Sequence, residues 1–391
     1  MLVHKAFKFR IYPTQQQIEL IHKTIGCSRF VFNFFLAEQQ KQDKYWKLCE
    51  EFVQQGILPS NEWKSSFFNK YDTIKQLPEL KKHYPFLKEV DSISLQKSVE
   101  VLADSFSRFY KKQNKPPKFK SKKNPVQSYT TKFTNGNIEV LDKHIKLPKL
   151  GLVRFSKSRE VIGRIMNATI RKSASDKYYI SIMCETEVEA LRKTSSSVGI
   201  DLGLKEFAIL SDGNTYENPR FLHRLEDKLI KAQRTLSRRK IGSSNWRKQR
   251  IKVARLHEKI TNARQDFLHK ASTAIVKNHD IIGIEDLQVS QMLKKETHAK
   301  AISEVSWSTF RTMLEYKANW YGKLVIAVSK QYPSSQLCSS CGYQHKAVKQ
   351  LNLRTWSCPE CKTTHDRDRN ASINIKRESQ RLIAVGTTVW A

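Results

Sequence analysis

Two Cys-x2-Cys pairs, Cys338/Cys341 and Cys358/Cys361, stand sixteen residues apart near the end of the sequence. Each pair forms a knuckle whose backbone can turn two thiolates onto one ion. Two knuckles complete a tetrahedral four-sulfur site, with Zn–S near about 2.3 Å. Four thiolates leave no open coordination position, so Zn2+ bound here is structural and does no chemistry. An iron–sulfur cluster and four coincidental thiols are the competing readings. Cys27, Cys49 and Cys184 are scattered, so there is no disulfide framework and no disulfide partner is expected. Cys27 and Cys49 fall in helix-like segments and read as small buried apolar residues. His345 and His365 lie near the knuckles and read as supporting or surface groups, not ligands.

The rest of the chain is large and strongly cationic. With 391 residues, roughly two to four domains are expected. Lys and Arg number 70 against 37 Asp and Glu, a formal net charge of +33. That excess repels itself unless a polyanion neutralises it, which makes nucleic acid the default partner. A ribosome-associated or merely basic protein satisfies the same charge. Hydrophobic residues at 39% supply folded cores and argue against disorder. No stretch reaches the roughly 18 apolar residues of a membrane span, and "MLVHKAFKFRIYPT" lacks the apolar middle of a signal peptide. A cytoplasmic protein with no membrane partner is expected.

"KAFKFRIYP" alternates apolar and basic positions as one strand, and Thr14 is a helix N-cap candidate. Helical periodicity then runs to about residue 113, with Phe30, Phe32, Phe34, Phe35, Tyr45 and Trp46 assigned mostly to core. Past the Pro- and Lys-rich "NKPPKFKSKKNP", residues 126–187 are short alternating runs separated by turns. They predict a small β-sheet or barrel that the first strand joins, with the helices inserted into it. A linker at 190–197 precedes "VGIDLGLKEFAILSDGNTYEN", read as three strands with a hairpin at Asp212–Gly213. Positions 220–259 carry fourteen Lys or Arg against three acids and predict a helical hairpin divided at 241–245. Such an excess suits a phosphate-tracking surface better than self-paired helices. "HDIIGIEDL" and "KLVIAVSKQYP" read as strands, with an amphipathic helix between them.

Acids interrupt two of those strands. Asp201 sits in "SVGIDLG" and Glu285 in "IIGIEDL", where an uncompensated charge is costly. The hairpin after Asp201 fits the first strand of an RNase H-like sheet. Asp368 opens the helix-like "DRNASINIK". Three carboxylates from separate elements could hold two Mg2+ ions about 3.5–4 Å apart, the geometry of in-line phosphodiester hydrolysis. Each acid taken singly also reads as a solvated strand end or a helix cap. Of the doubled pair, Asp368 is favoured. The role of Asp366 stays open between supporting it and pairing with Arg367.

In combined order, "FRIYPT", "CSRFVFNFFL", "PPKFKSK", "IDLGLKEFAILSDG", "IEDL", "YPSSQLCSSCG", "CPEC" and "HDRDRNASINI" resemble the TnpB family. These are insertion-sequence proteins related to type V CRISPR effectors. The resemblance implies an RNA-guided DNA endonuclease of a transposable element, associated with transposition and DNA recombination. It implies a multidomain α/β chain with all-β and all-α parts. A wedge-type β-barrel would occupy 1–12 and 114–190, and a helical recognition lobe 13–113. A RuvC-like nuclease on an RNase H fold would occupy 191–330 and 363–391, with a zinc ribbon at 331–362. Asp201, Glu285 and Asp368 correspond to its first, second and third acids, which hold catalytic Mg2+. Cys338, Cys341, Cys358 and Cys361 correspond to the ribbon's Zn2+ ligands. Implied partners are a guide RNA encoded by the element and double-stranded target DNA with a short adjacent motif, placing the protein on the bacterial nucleoid when DNA-bound. A transposase acting by strand transfer and a non-cleaving guided repressor are the alternatives.

Overall fold

The computed structural model describes residues 1–58, 67–288, 292, 299–350 and 352–386. Parts of the expected helical lobe (59–66), nuclease segment (289–291, 293–298 and 387–391) and ribbon (351) lie outside the described residues. The chain divides into two compact units: Leu2–Thr186, and Glu187–Ala391 together with Met1.

The first unit combines a sheet with helices. Strand β1 (Leu2–Tyr12) is followed by α1 (Gln15–Gln54), which starts at a capping box: Thr14 accepts from Gln17 N while the Gln17 side chain accepts from Thr14 N. Short helices α2 (Lys70–Lys75) and α3 (Leu77–His83) lead to α4 (Ser92–Tyr110), capped by Asp91. Then come β2 (Gln127–Lys132), β3 (Glu139–Val140), β4 (His144–Leu147), β5 (Gly151–Phe155), β6 (Arg164–Lys172) and β7 (Tyr178–Glu187). The sheet order is β2-β6-β7-β1-β5-β4-β3, so the N-terminal strand sits between strands 140 or more residues later in the chain. Alternation on β7 buries Tyr178, Ile180, Ile182 and Cys184 on one face. The helices have their own core around Val31, Phe32, Phe35, Leu95, Val99 and Leu102. Phe30 and Phe34 are half-buried against it, but Tyr45 is 54% exposed. It lies far along the 40-residue α1, where its ring meets that of Trp46.

The second unit is built on a five-stranded sheet. Its strands are β8 (Ser197–Leu202), β9 (Glu206–Leu210), β10 (Thr215–Glu217), β11 (Ile281–Glu285) and β12 (Leu324–Val328), in the order β10-β9-β8-β11-β12. Antiparallel ladders join β10, β9 and β8, while β8, β11 and β12 run parallel. Between β10 and β11 stand α5 (Phe221–Ser237) and α6 (Ser244–Asn278), the cationic hairpin, with a small core of Leu229, Val253 and Ile260. After β11 come α7 (Ala299–Val305) and α8 (Trp307–Tyr321), ended by Gly322 in the left-handed region at φ +66. The hairpin β13 (Thr355–Ser357) and β14 (Thr364–Asp366) precedes the last helix, α9 (Arg367–Ala384).

Two faces of this sheet are covered differently. Val198, Ile200, Ile282 and Ile284 point into a core with Leu268, Ile275, Phe310 and Leu314 of α6 and α8. The alternate residues, Gly199 and Gly283, face α9. A Cβ on Gly199 would lie 2.0 Å from Ser372 O, and one on Gly283 would lie 2.8 Å from Ser379 Oγ. The helix answers with small residues: Ala371, Ser372 and Ser379 are buried. Backbone therefore rests nearly on backbone. Among the described residues no helix is long and apolar enough to cross a membrane.

Candidate active site and metal centre

The glycines that admit α9 also determine where the acids lie. Asp201 and Glu285 follow Gly199 and Gly283 by two residues, so each acid shares its glycine's face. The β8–β11 register pairs Gly283 with Gly199 and Ile284 with Ile200. One step further brings Glu285 beside Asp201 at the C-terminal ends of two parallel strands. Asp368 is the second residue of α9, in the first turn, where the helix dipole favours a negative charge.

Electrostatics reports the convergence. Burial, then the Glu285 and Asp368 carboxylates, push Asp201 well above the ordinary carboxylate range, and Arg367 and Arg354 act in the opposite sense. Burial also raises Glu285, opposed by a hydrogen bond from Ser334 and by Arg367. Ser334 Oγ donates to Glu285 Oε1 at 2.5 Å. Asp368 is held by Arg354, whose Nη1 lies 3.1 and 3.2 Å from its two carboxylate oxygens. Carboxylates whose charges act on a buried acid disfavour its ionisation unless cations join them. The donor set, three carboxylates, is the oxygen chemistry that suits Mg2+.

Asp366 has another task. Its side chain accepts from Arg369 N at 2.9 Å and N-caps α9. It neither backs Asp368 nor pairs with Arg367. Arg367 is buried instead against the ribbon, with its N–H on Arg354 O (2.8 Å) and Nη1 on Gln350 O (3.3 Å).

The four cysteine sulfurs all lie within 4.8 Å of one another. The Cys338–Cys361 and Cys341–Cys358 separations are 3.5 and 3.6 Å. A tetrahedron with Zn–S near 2.3 Å has edges of about 3.8 Å, so the set fits a structural zinc closely. His365 is no ligand in this set. It is buried, with Nε2 3.1 Å from Cys338 Sγ and its ring against Trp356. His345 stacks on the same indole.

Ribbon and acids share one support. Asn370 Nδ2 donates to Leu337 O (2.6 Å), and its oxygen accepts from Ser339 N (2.8 Å). Asn374 Nδ2 donates to Ser334 O (2.8 Å) and Leu337 O (2.7 Å). Both asparagines are buried on α9, one turn apart. The segment leading into the first knuckle is thus bolted to the helix that carries Asp368. Sequence reasoning missed Ser334, Arg354, Asn370 and Asn374. A readable signal was the Asn pair at i, i+4 on the helix that opens with Asp368.

Residues 181–296 match the OrfB_IS605 family, described as a probable transposase, and residues 307–375 match a Cas12f1-like TNB domain. Residues 1–44 match a family described as a helix-turn-helix domain, although here they form a strand and part of one continuous helix. A Streptomyces pristinaespiralis protein named for RNA-guided DNA endonuclease activity is 35% identical over 95% of this chain and 89% of that one. InsQ of Escherichia coli K12, named in the same way, is 34% identical over 98% of this chain and 94% of its own length. Among solved structures, a Cas12f1 chain from a complex with guide RNA and target DNA superposes with a TM-score of 0.52 at 12% identity. The superposition covers 96% of this chain and 99% of that one, a likeness of fold.

Proposed function

The chain belongs to the TnpB family, and from that premise we propose that it is an RNA-guided DNA endonuclease of an insertion sequence. It hydrolyses DNA phosphodiester bonds at a RuvC-type site formed by Asp201, Glu285 and Asp368. The observation that carries the reading is the register that sets Asp201 and Glu285 at the ends of two adjacent parallel strands of a 3-2-1-4-5 sheet, under the helix whose first turn holds Asp368. That strand order, with three antiparallel and three parallel members sharing β8, supports an RNase H-like nuclease at 191–330 and 363–391. The zinc ribbon occupies 331–362. The wedge-type β-barrel (1–12 and 114–190) and the recognition lobe (13–113) fall mainly within the first unit.

Asp201, Glu285 and Asp368 would hold two Mg2+ ions. When bound, these supply activation of the attacking water and neutralisation of charge on the leaving oxygen. The residues of the chain do the rest. Ser334 keeps one Glu285 oxygen oriented by donating to it. Arg354 holds and aims the Asp368 carboxylate through both of its oxygens. The Asp366 cap fixes the start of α9, and Gly199 and Gly283 fix its height above the sheet.

Cationic surfaces, the α5–α6 hairpin among them, hold the element's guide RNA through its backbone. Protein reads a short motif in the duplex, and base pairing to the guide reads the remaining target sequence. The test is reprogramming. Protein purified with its RNA, given Mg2+, should cut DNA matched to the guide and should follow a changed guide to a changed target. Cutting that survives removal of the RNA indicates a strand-transfer transposase, and guided binding without cutting indicates a repressor.

A further inference from the structure

Beside Glu285 lies a cavity of 280 Å³ that the three acids do not explain. Its lining includes Lys330, Lys349, Arg367, Tyr332 and Ser334, and Glu285 is its one acid. Lys330 follows β12 in a turn closed by Tyr332 N on Ser329 O (2.9 Å). Lys349 ends a single helical turn, Lys346–Lys349, pinned by the fully buried Val348 in the ribbon core. Both lysines are exposed, and among the described residues neither has a recorded carboxylate partner. Tyr332 is half-buried, its hydroxyl spent on Asn374 O (3.4 Å), so its ring lines the cavity as a fixed wall. Three cations crowd one acid, and that acid is committed to the neighbouring reaction centre. Such an arrangement is self-repelling until an anion enters. Cations that follow a backbone, placed beside an aromatic wall, are the means by which proteins hold single-stranded nucleic acid. The volume lies near the lower end of ligand pockets, which suits one nucleotide unit.

We propose that this cavity is the subsite for one nucleotide of the strand being cut, immediately beside the scissile linkage, with Lys330 and Lys349 on its phosphate and Tyr332 against its sugar and base. The assignment rests on the nuclease reading of the adjacent acids and extends it. The strand therefore enters unpaired, threaded between β12 and the ribbon. Lys330 and Lys349 are positioning residues that contact a phosphate which does not react.

The experiment uses the complete protein–RNA complex and target DNAs carrying one neutral methylphosphonate at each linkage near the cut in turn. The Lys330→Gln/Lys349→Gln double variant should cut natural DNA roughly tenfold more slowly under single-turnover conditions. Guide-dependent DNA binding should be unchanged, and Lys330→Arg/Lys349→Arg should restore most of the rate. At one linkage beside the cut, the methylphosphonate should slow the native protein by a similar factor and the Gln variant no further. Full-rate cutting by the Gln variant, or strictly multiplicative losses at every linkage, overturns the subsite while leaving the nuclease intact. Absence of guided cutting by the native protein overturns both.

Discussion

The two metal-type sites of the second unit are built on opposite plans. The four cysteines come from 24 consecutive positions, Cys338–Cys361, and their sulfurs already stand near tetrahedral spacing. The three acids span positions 201 to 368, and a sheet register and a helix packing angle bring them together. One site is a closed clasp whose ligands gain by proximity. The other sets two carboxylates against a buried Asp201, whose affinity for protons they and its burial raise. A metal would complete the fold of the first and, on the proposed reading, offset repulsion in the second.

The sharpest way to break this contrast is to remove zinc. Chelation, or Cys358→Ser, should unfold the ribbon, because structural zinc contributes an apparent 10–16 kcal/mol or so in small zinc domains at neutral pH. Loss of β13–β14 amide protection in hydrogen exchange and loss of cutting together are the expected result. Full-rate cutting by zinc-free protein would uncouple the ribbon from Asp368. Next in size, Asp201→Ala should lower cutting by roughly a thousandfold or more, about 4 kcal/mol of barrier. Unlike the cysteine change, it should leave the thermal midpoint of the zinc-loaded protein without added Mg2+ equal or higher, since a buried repelling charge is gone. A large fall in that midpoint would mean the acid is structural.

Gly199→Ala tests the helix seat. A methyl group 2.0 Å from Ser372 O forces α9 away from β8. About 1–3 kcal/mol of stability should be lost in denaturant titration, with cutting reduced and zinc content unchanged. The pH response follows from the raised carboxyls. In metal-free protein the folded state holds protons on Asp201 and Glu285 that the unfolded chain releases near pH 4. Unfolding then releases protons, so the stability supplied by these groups is present at low pH and declines as pH rises through their folded range. Mg2+ should bind more tightly as pH rises and offset that decline, which thermal melts at pH 5 and pH 7.5 with and without Mg2+ would show. The smallest effect belongs to Arg354→Gln. Freeing Asp368 from a partly exposed ion pair should lower the Mg2+ concentration for half-maximal melting shift by up to about fivefold. A rise in that concentration would show that Arg354 assembles the site.

What could be read from the chain divides along the same line. The cysteine site was legible because its ligands are local and their spacing is itself the geometry. Asp201 and Glu285 stood out as charges in apolar strands, but their adjacency depends on pairing Gly199 with Gly283, which no single strand encodes. The repeated pattern of glycine two residues before each acid is visible in "VGID" and "IGIE", and it marks the face where α9 lands. Arg354 and Ser334 were illegible, since their roles follow from where the ribbon leaves and rejoins the sheet. The cap role of Asp366 went unread because attention fell on Asp368 two residues on, although an acid just before a helix is an ordinary cap.

The asparagine bolts have a consequence for how this region can vary. Chain departs at Ser334 and Leu337 and returns at Arg367, and all three points are fastened around the first two turns of one helix. Whatever lies between is a detour with a common exit and entrance. Its outer parts can change in length and shape as long as the zinc site stays closed and the strand entry at Arg354 keeps its hold on the carboxylate at position 368. A socket of this kind tolerates variation at its rim while the parts that touch the last helix stay fixed.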